Sequence, residues 1–158
     1  VLINKMDLLN YSEDSYFSLK NKITGVLKQA GYKNAEKFDY DPASIDLLFI
    51  THAHIDHIGK VPKLVKDGFR GEIYSTVETK DIATLMLADM VKISSTLYDL
   101  QDVEKALSLW RTLNYHEVKD FDEFKLELFN AGHILGSSMI KLTFTSGKSI
   151  LLTGDLGK

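Results

Sequence analysis

The chain reads as a layered α/β domain. Three observations predict it: apolar or alternating runs of strand length, amphipathic helical stripes between them, and a final third that alternates inward and outward residues. At 158 residues and 44% hydrophobic, the chain suffices for one adequate core. It contains no cysteine, which excludes a disulfide scaffold and a thiolate metal site. No apolar run approaches a membrane span and no charged-then-apolar leader opens the chain. A cytoplasmic protein with no membrane partner is expected.

Val1-Leu2-Ile3 reads as a short strand, and Ser12 caps a helix with Glu13 and Asp14 in its first turn. Tyr16, Leu19, Ile23, Val26, Leu27 and Ala30 form its apolar stripe, and Gly31 ends it. Asp41-Pro42 marks a turn before the apolar run Ile45 to Ile50. A helix should begin near Ile58 or Gly59, since Pro62 fits a first helical turn. Glu72 to Thr76 reads as a strand. Thr79 should cap the next helix, whose inward side would carry Ile82, Leu85, Met86, Met90 and Ile93, the methionines as core filler. Asp102 should cap another, with Val103, Ala106, Leu107 and Trp110 inward. Phe124, Leu126 and Leu128 alternate against Lys125 and Glu127, and a strand over 139–145 follows. A turn at Ser146-Gly147-Lys148 leads to the apolar run 149–152.

The chemistry concentrates where the run Ile45–Ile50 ends, at His52-Ala53-His54-Ile55-Asp56-His57. Alternation along an extended segment points His52 and His54 the same way, and the next turn aims Asp56 and His57 at a second ion. Imidazole and carboxylate donors suit zinc, and a catalytic zinc keeps one position open for water. Asn130-Ala131-Gly132-His133-Ile134-Leu135-Gly136-Ser137-Ser138 adds a histidine in a glycine-flanked loop, and Thr153-Gly154-Asp155-Leu156-Gly157 adds a carboxylate able to bridge two ions. His116 lies outside these motifs and reads as a surface residue.

The net charge of −3 argues against a general nucleic-acid clamp. Lys60, Lys63, Lys66 and Arg70 form a local basic group, Lys60 and Lys63 on neighbouring helical positions, and read as a solvated helix face.

The motifs THAHIDHIG, AGHILGS and TGDLG, in this order, resemble motifs two, three and four of the metallo-β-lactamase fold. Lys63 to Thr76, Thr79-Lys80-Asp81 and Asp102 to Leu107 look like the β-CASP branch, the RNA-processing nucleases. The resemblance runs over residues 33–158. It implies an incomplete αββα sandwich, the N-terminal half of the metal domain, with the β-CASP domain absent.

The resemblance also implies a zinc-dependent ribonuclease fragment. His52, His54 and His133 would hold one zinc, Asp56 and His57 a second, and Asp155 would bridge them. Asp56 would act catalytically by orienting the attacking water. The second zinc site would be incomplete, because the family's further metal-binding histidine lies in the later portion. Two other readings stay open: another hydrolase of this fold acting on thioesters or lactams, or a non-catalytic metal-binding remnant.

Residues 1–32 look like part of an elongation-factor-1α-type translation GTPase, Asn4-Lys5-Met6-Asp7 fitting its NKxD motif. They form a segment of doubtful origin, joined near Lys33 by a fusion or a misassembled frame. No GxxxxGK[ST] loop is present to hold phosphates, so no GTP binding is expected.

Overall fold

The computed structural model describes residues 37–93 and 97–157. The chain divides into two compact units, Val1–Asp41 and Pro42–Lys158. The strand and helix expected between Val1 and Gly31, and the GTPase-like segment with them, lie outside the described residues. Of the first unit, residues 37–41 are described, where the Phe38 and Tyr40 rings meet at 5.3 Å.

The second unit opens with a 3-10 turn, Pro42–Ser44, then strand β1, Leu47–Phe49. Helices α1, Ile55–Ile58, and α2, Val61–Lys66, lead to β2, Glu72–Ser75. Helices α3, Val77–Ile93, and α4, Leu100–Ser108, lead to β3, Trp110–Thr112. Four strands follow: β4, Val118–Asp120; β5, Phe124–Asn130; β6, Ser138–Phe144; and β7, Ser149–Leu152. Strands β1, β2 and β3 form a parallel sheet in that order, and β4 to β7 an antiparallel one. The expected α/β architecture is present.

The two sheets face each other. Tyr74 of β2 packs with Leu126 and Leu128 of β5 and Ile140 of β6, and Phe49 of β1 meets Phe124 edge-on at 6.3 Å. Ile73 projects from the opposite face of β2 and is equally buried, as a parallel sheet covered on both faces requires. The helices supply buried Leu64, Val65, Ala83, Leu87, Val103 and Ala106. The antiparallel sheet keeps Lys125 outward, and β7 is exposed along its length. The alternation read over residues 124–128 is observed, and the turn falls at residues 145–147, one residue ahead of the expected Ser146-Gly147-Lys148.

Several expectations need correction. The helix after the metal motif starts at Ile55, not Ile58 or Gly59, because the His54 carbonyl accepts the amides of His57 (2.9 Å) and Ile58 (3.1 Å). A second helix then starts at Val61, with Pro62 in its first turn. Lys60 is the N-cap of α2 and does not share a helical face with Lys63. Lys63 pairs with Asp67 at 2.6 Å, Lys66 with Asp102 at 3.4 Å, and Arg70 donates to the Val65 and Phe69 carbonyls at 2.8 and 2.7 Å. Lys60, Lys66 and Arg70 are exposed, as expected of a solvated face, and Lys63 is partly buried.

Thr76, not Thr79, caps α3: its Oγ1 accepts the Thr79 amide at 3.2 Å. The buried stripe of α3 is Thr79, Ala83 and Leu87, so Leu85 and Met86 point outward. Two of these three are small or polar, a signal that a search for large apolar residues passes over. Asp99 caps α4 and Asp102 completes the capping box, its carboxylate accepting the Asp99 amide at 3.2 Å. Trp110 belongs to β3, buried, with its indole N–H donating to Ser75 Oγ at 2.8 Å.

Candidate metal centre

Three chain segments meet at the ends of β1, β5 and β7, and hydrogen bonds between them fix their relative position. The Ile50 amide still donates to the Tyr74 carbonyl at 2.9 Å, so the motif segment leaves the parallel sheet from a paired residue. One residue on, the Thr51 carbonyl accepts from the Ser138 amide at 2.7 Å and from Ser138 Oγ at 3.2 Å. The first histidines are thus tied to the start of β6. The Gly157 amide donates to the Ala131 carbonyl at 2.9 Å, which ties the Asp155 segment to the His133 loop.

The His133 loop is braced from within. Ser137 Oγ accepts the amides of His133 at 3.0 Å and Ile134 at 3.2 Å, and Asn130 Oδ1 accepts that of Gly132 at 2.7 Å. Gly136 has φ +77°, and a Cβ there would stand 2.7 Å from the Thr79 nitrogen. Its carbonyl instead accepts hydroxyls from the first turn of α3, with Thr76 Oγ1 at 2.6 Å and Thr79 Oγ1 at 2.9 Å.

These braces bring the imidazoles together. His52 Nε2 lies 3.0 Å from His54 Nδ1, which lies 3.2 Å from His133 Nε2. The three rings stand edge to face, with centroids 4.7–4.9 Å apart. Asp155 Oδ2 stands 3.8 Å from His52 Nε2 and 3.7 Å from His133 Nε2. These four side chains are a donor group of the metal-binding kind, every donor atom within 4.8 Å of the others. The donor distances fit one small ion: nitrogens at 2.0–2.1 Å from a tetrahedral zinc lie about 3.3 Å from each other.

Asp56 and His57 form a second group on α1. His57 Nε2 is 3.8 Å from Asp56 Oδ2 and also 3.8 Å from Asp155 Oδ2, and its ring lies over His52 at 4.0 Å between centroids. The Asp56 side chain is 55% exposed and that of His57 31%, against 0% for His52. His116 stays apart from both groups: its side chain is exposed, near Glu127 and against the edge of Phe129, with φ +63°.

Burial lowers the His52 pKa from 6.5 to about 4, helped by His57 and His54 and opposed by the Asp155 carboxylate. The imidazole is therefore neutral at neutral pH. Thr51 Oγ1 lies 3.1 Å from its Nδ1; a proton on Nδ1 donates there and leaves the Nε2 lone pair facing the cluster. The braces Thr51, Ser137 and Ser138 were quoted in the sequence motifs without a role. Their hydrogen-bonding residue type was visible, but their partners come from other strands and were not.

A parallel sheet packed on an antiparallel one, with histidines and carboxylates gathered at the strand ends, defines a metal-binding α/β domain. Residues 25–155 match the metallo-beta-lactamase superfamily domain, and the chain belongs to that superfamily. Its metal-binding character goes with the His/Asp cluster seen here. The match begins at residue 25, ahead of Lys33.

The chain is 35% identical over 126 residues to ribonuclease TTHA0252 of Thermus thermophilus, an alignment covering 79% of this chain and 29% of that protein. It is 37% identical over 126 residues to cleavage and polyadenylation specificity factor subunit 3-I of Arabidopsis thaliana, covering 76% of this chain and 18% of that one. The chain thus spans about a third or less of either relative. Both agree with the RNA-processing branch that the motifs resemble. In fold, a metallo-β-lactamase of Cronobacter sakazakii with a HARLDQ motif superposes with a TM-score of 0.54 at 14% identity, over 76% of this chain and 44% of that one. No helix among the described residues is long and apolar enough to cross a membrane.

Proposed function

We propose that the chain is the zinc-holding part of a ribonuclease that hydrolyses phosphodiester bonds, acting on RNA in the cytoplasm. One observation carries the two-ion reading. A single carboxylate oxygen, Asp155 Oδ2, stands 3.7–3.8 Å from nitrogens of His52, His133 and His57, and so faces both donor groups. His52 Nε2, His54 Nδ1 and His133 Nε2 would hold one zinc, Asp56 and His57 the other, and Asp155 would bridge. Zinc suits a set of neutral imidazoles with a carboxylate and no thiolate, whereas magnesium prefers oxygen donors.

When bound, paired zinc ions lower the pKa of water and neutralise charge on a phosphate. The protein residues do the rest. Asp56, more than half exposed beside His57, accepts a proton from the attacking water and orients it. His52, buried and neutral, gives a donor that stays unprotonated through the neutral range. The ribonuclease and cleavage-factor relatives favour RNA over thioesters or lactams.

The test is a substrate panel run with and without zinc: labelled RNA, a thioester and a lactam. RNA cleavage that is slow, because the second donor group is short of a ligand, and that stops on chelation and in Asp56→Asn is the expected result. Thioester or lactam turnover in its place, or no turnover above the metal-free control, would overturn the reading.

A further inference from the structure

A cavity of about 380 Å³ lies beside the metal centre, lined by Glu78, Tyr115, Asn130, His133 and the chain from Gly132 to Gly136. His133 belongs both to the cavity wall and to the donor cluster. A group bound in the cavity is therefore next to the proposed reaction centre. The volume falls in the range of small-ligand sites.

The walls are held in place by bonds already described. The Gly136 carbonyl takes the hydroxyls of Thr76 and Thr79, which locks the start of α3 to the His133 loop. Glu78 sits in that first turn, and its Cβ fills the space that a side chain at position 136 would need, 2.8 Å from such a Cβ. Tyr115 donates its phenol to the Ser137 carbonyl at 2.8 Å. Burial and the Glu78 carboxylate both push the Tyr115 pKa up, so it remains a neutral phenol. Asn130 spends its Oδ1 on the Gly132 amide, which leaves its NH2 group as a donor. Leu135, 70% exposed, and Ile134 give apolar surface at the same wall.

This chemistry discriminates among ligands. A carboxylate repels phosphate, so the RNA backbone is a poor occupant. It accepts two N–H groups, and the asparagine NH2 calls for an acceptor alongside. Unpaired RNA bases are read through such pairing-edge bonds and through apolar contact with their faces. Guanine alone among the four offers two adjacent N–H groups and a carbonyl on one edge. We propose that this cavity is a nucleobase subsite selective for guanine, with Glu78 and Asn130 reading its pairing edge.

The inference rests on the ribonuclease reading, and the test separates the two. Zinc-loaded chain is titrated by calorimetry with the 5′-monophosphates of guanosine, adenosine, cytidine and uridine, and zinc content is measured on the same samples. GMP is expected to bind about tenfold more tightly than UMP, in line with the worth of a bidentate base contact. Glu78→Gln should retain zinc and lose the preference, and Asn130→Asp, which keeps an acceptor for the Gly132 amide but loses the NH2 donor, should retain zinc and weaken GMP binding most among the four. Equal binding of all four nucleotides, no binding, or a preference unchanged in Glu78→Gln would overturn the base subsite and leave the zinc reading standing. A chain that takes up no zinc would overturn the reading beneath it.

Discussion

The two donor groups of the candidate metal centre both face Asp155 but are built differently. His52, His54 and His133 come from two distant segments, yet their nitrogens lie 3.0–3.2 Å apart because Ser138 holds Thr51 and Ser137 holds the His133 loop. Asp56 and His57 are sequence neighbours on a four-residue helix and are partly exposed. Their donor atoms stand 3.8 Å apart. The first group is preorganised by the fold; the second depends on one short turn and a borrowed carboxylate. On the proposed zinc reading, closeness enforced by cross-strand bonds should therefore give the stronger site, and closeness in sequence the weaker.

The largest effect should come from breaking the first group. His133→Ala or His52→Ala removes one of three imidazoles and should lower tight zinc affinity by well over the 10–100-fold typical of outer-shell changes, as measured by competition with a chelator. Next comes the brace: Ser137→Ala leaves every donor atom in place but frees the His133 and Ile134 amides, and should cost about 10–100-fold in the tight site. His57→Ala should act only on the weaker group. It should remove the second zinc while the tight site changes by less than about tenfold, and loss of both ions together would show that the groups are not separable.

The smallest effect is in pH. The folded pKa of His52, about 4, lies below the unfolded value of 6.5, so the unfolded chain binds the proton more readily between the two. The stability this contributes is complete above 6.5 and is lost as pH falls toward 4. Denaturant titration of chelated protein should show stability at pH 5 lower than at pH 7 by about 1–2 kcal/mol from this group. His52→Ala should flatten that difference.

The six ligand candidates stood out in the sequence because their residue types and spacing are uncommon at strand ends; the structure gathers His52, His54, His133 and Asp155 into one donor group, with His57 3.8 Å from Asp155 and Asp56 beside His57. The strands of the final third were legible because one face is buried and the other wet, as with Leu126 and Leu128 against Lys125. Helix faces were harder. The buried side of α3 carries Thr79, Ala83 and Leu87, while larger Leu85 and Met86 stay outside, so side-chain size was a misleading guide to the buried face. Caps slipped by three residues at both α3 and α4, since Thr76 and Asp99 each have a second hydroxyl or carboxyl residue one turn on. The cavity beside His133 left no trace in the sequence at all. Glu78, Tyr115 and Asn130 lie on three separate elements or loops, and only the fold places them on one wall.

The inequality of the two donor groups is tested most directly by calorimetric titration of metal-free chain with zinc at neutral pH. One zinc should bind tightly and a second weakly, with the tight phase lost in His133→Ala and the weak phase lost in His57→Ala. Two zincs of equal affinity, or none, would contradict it.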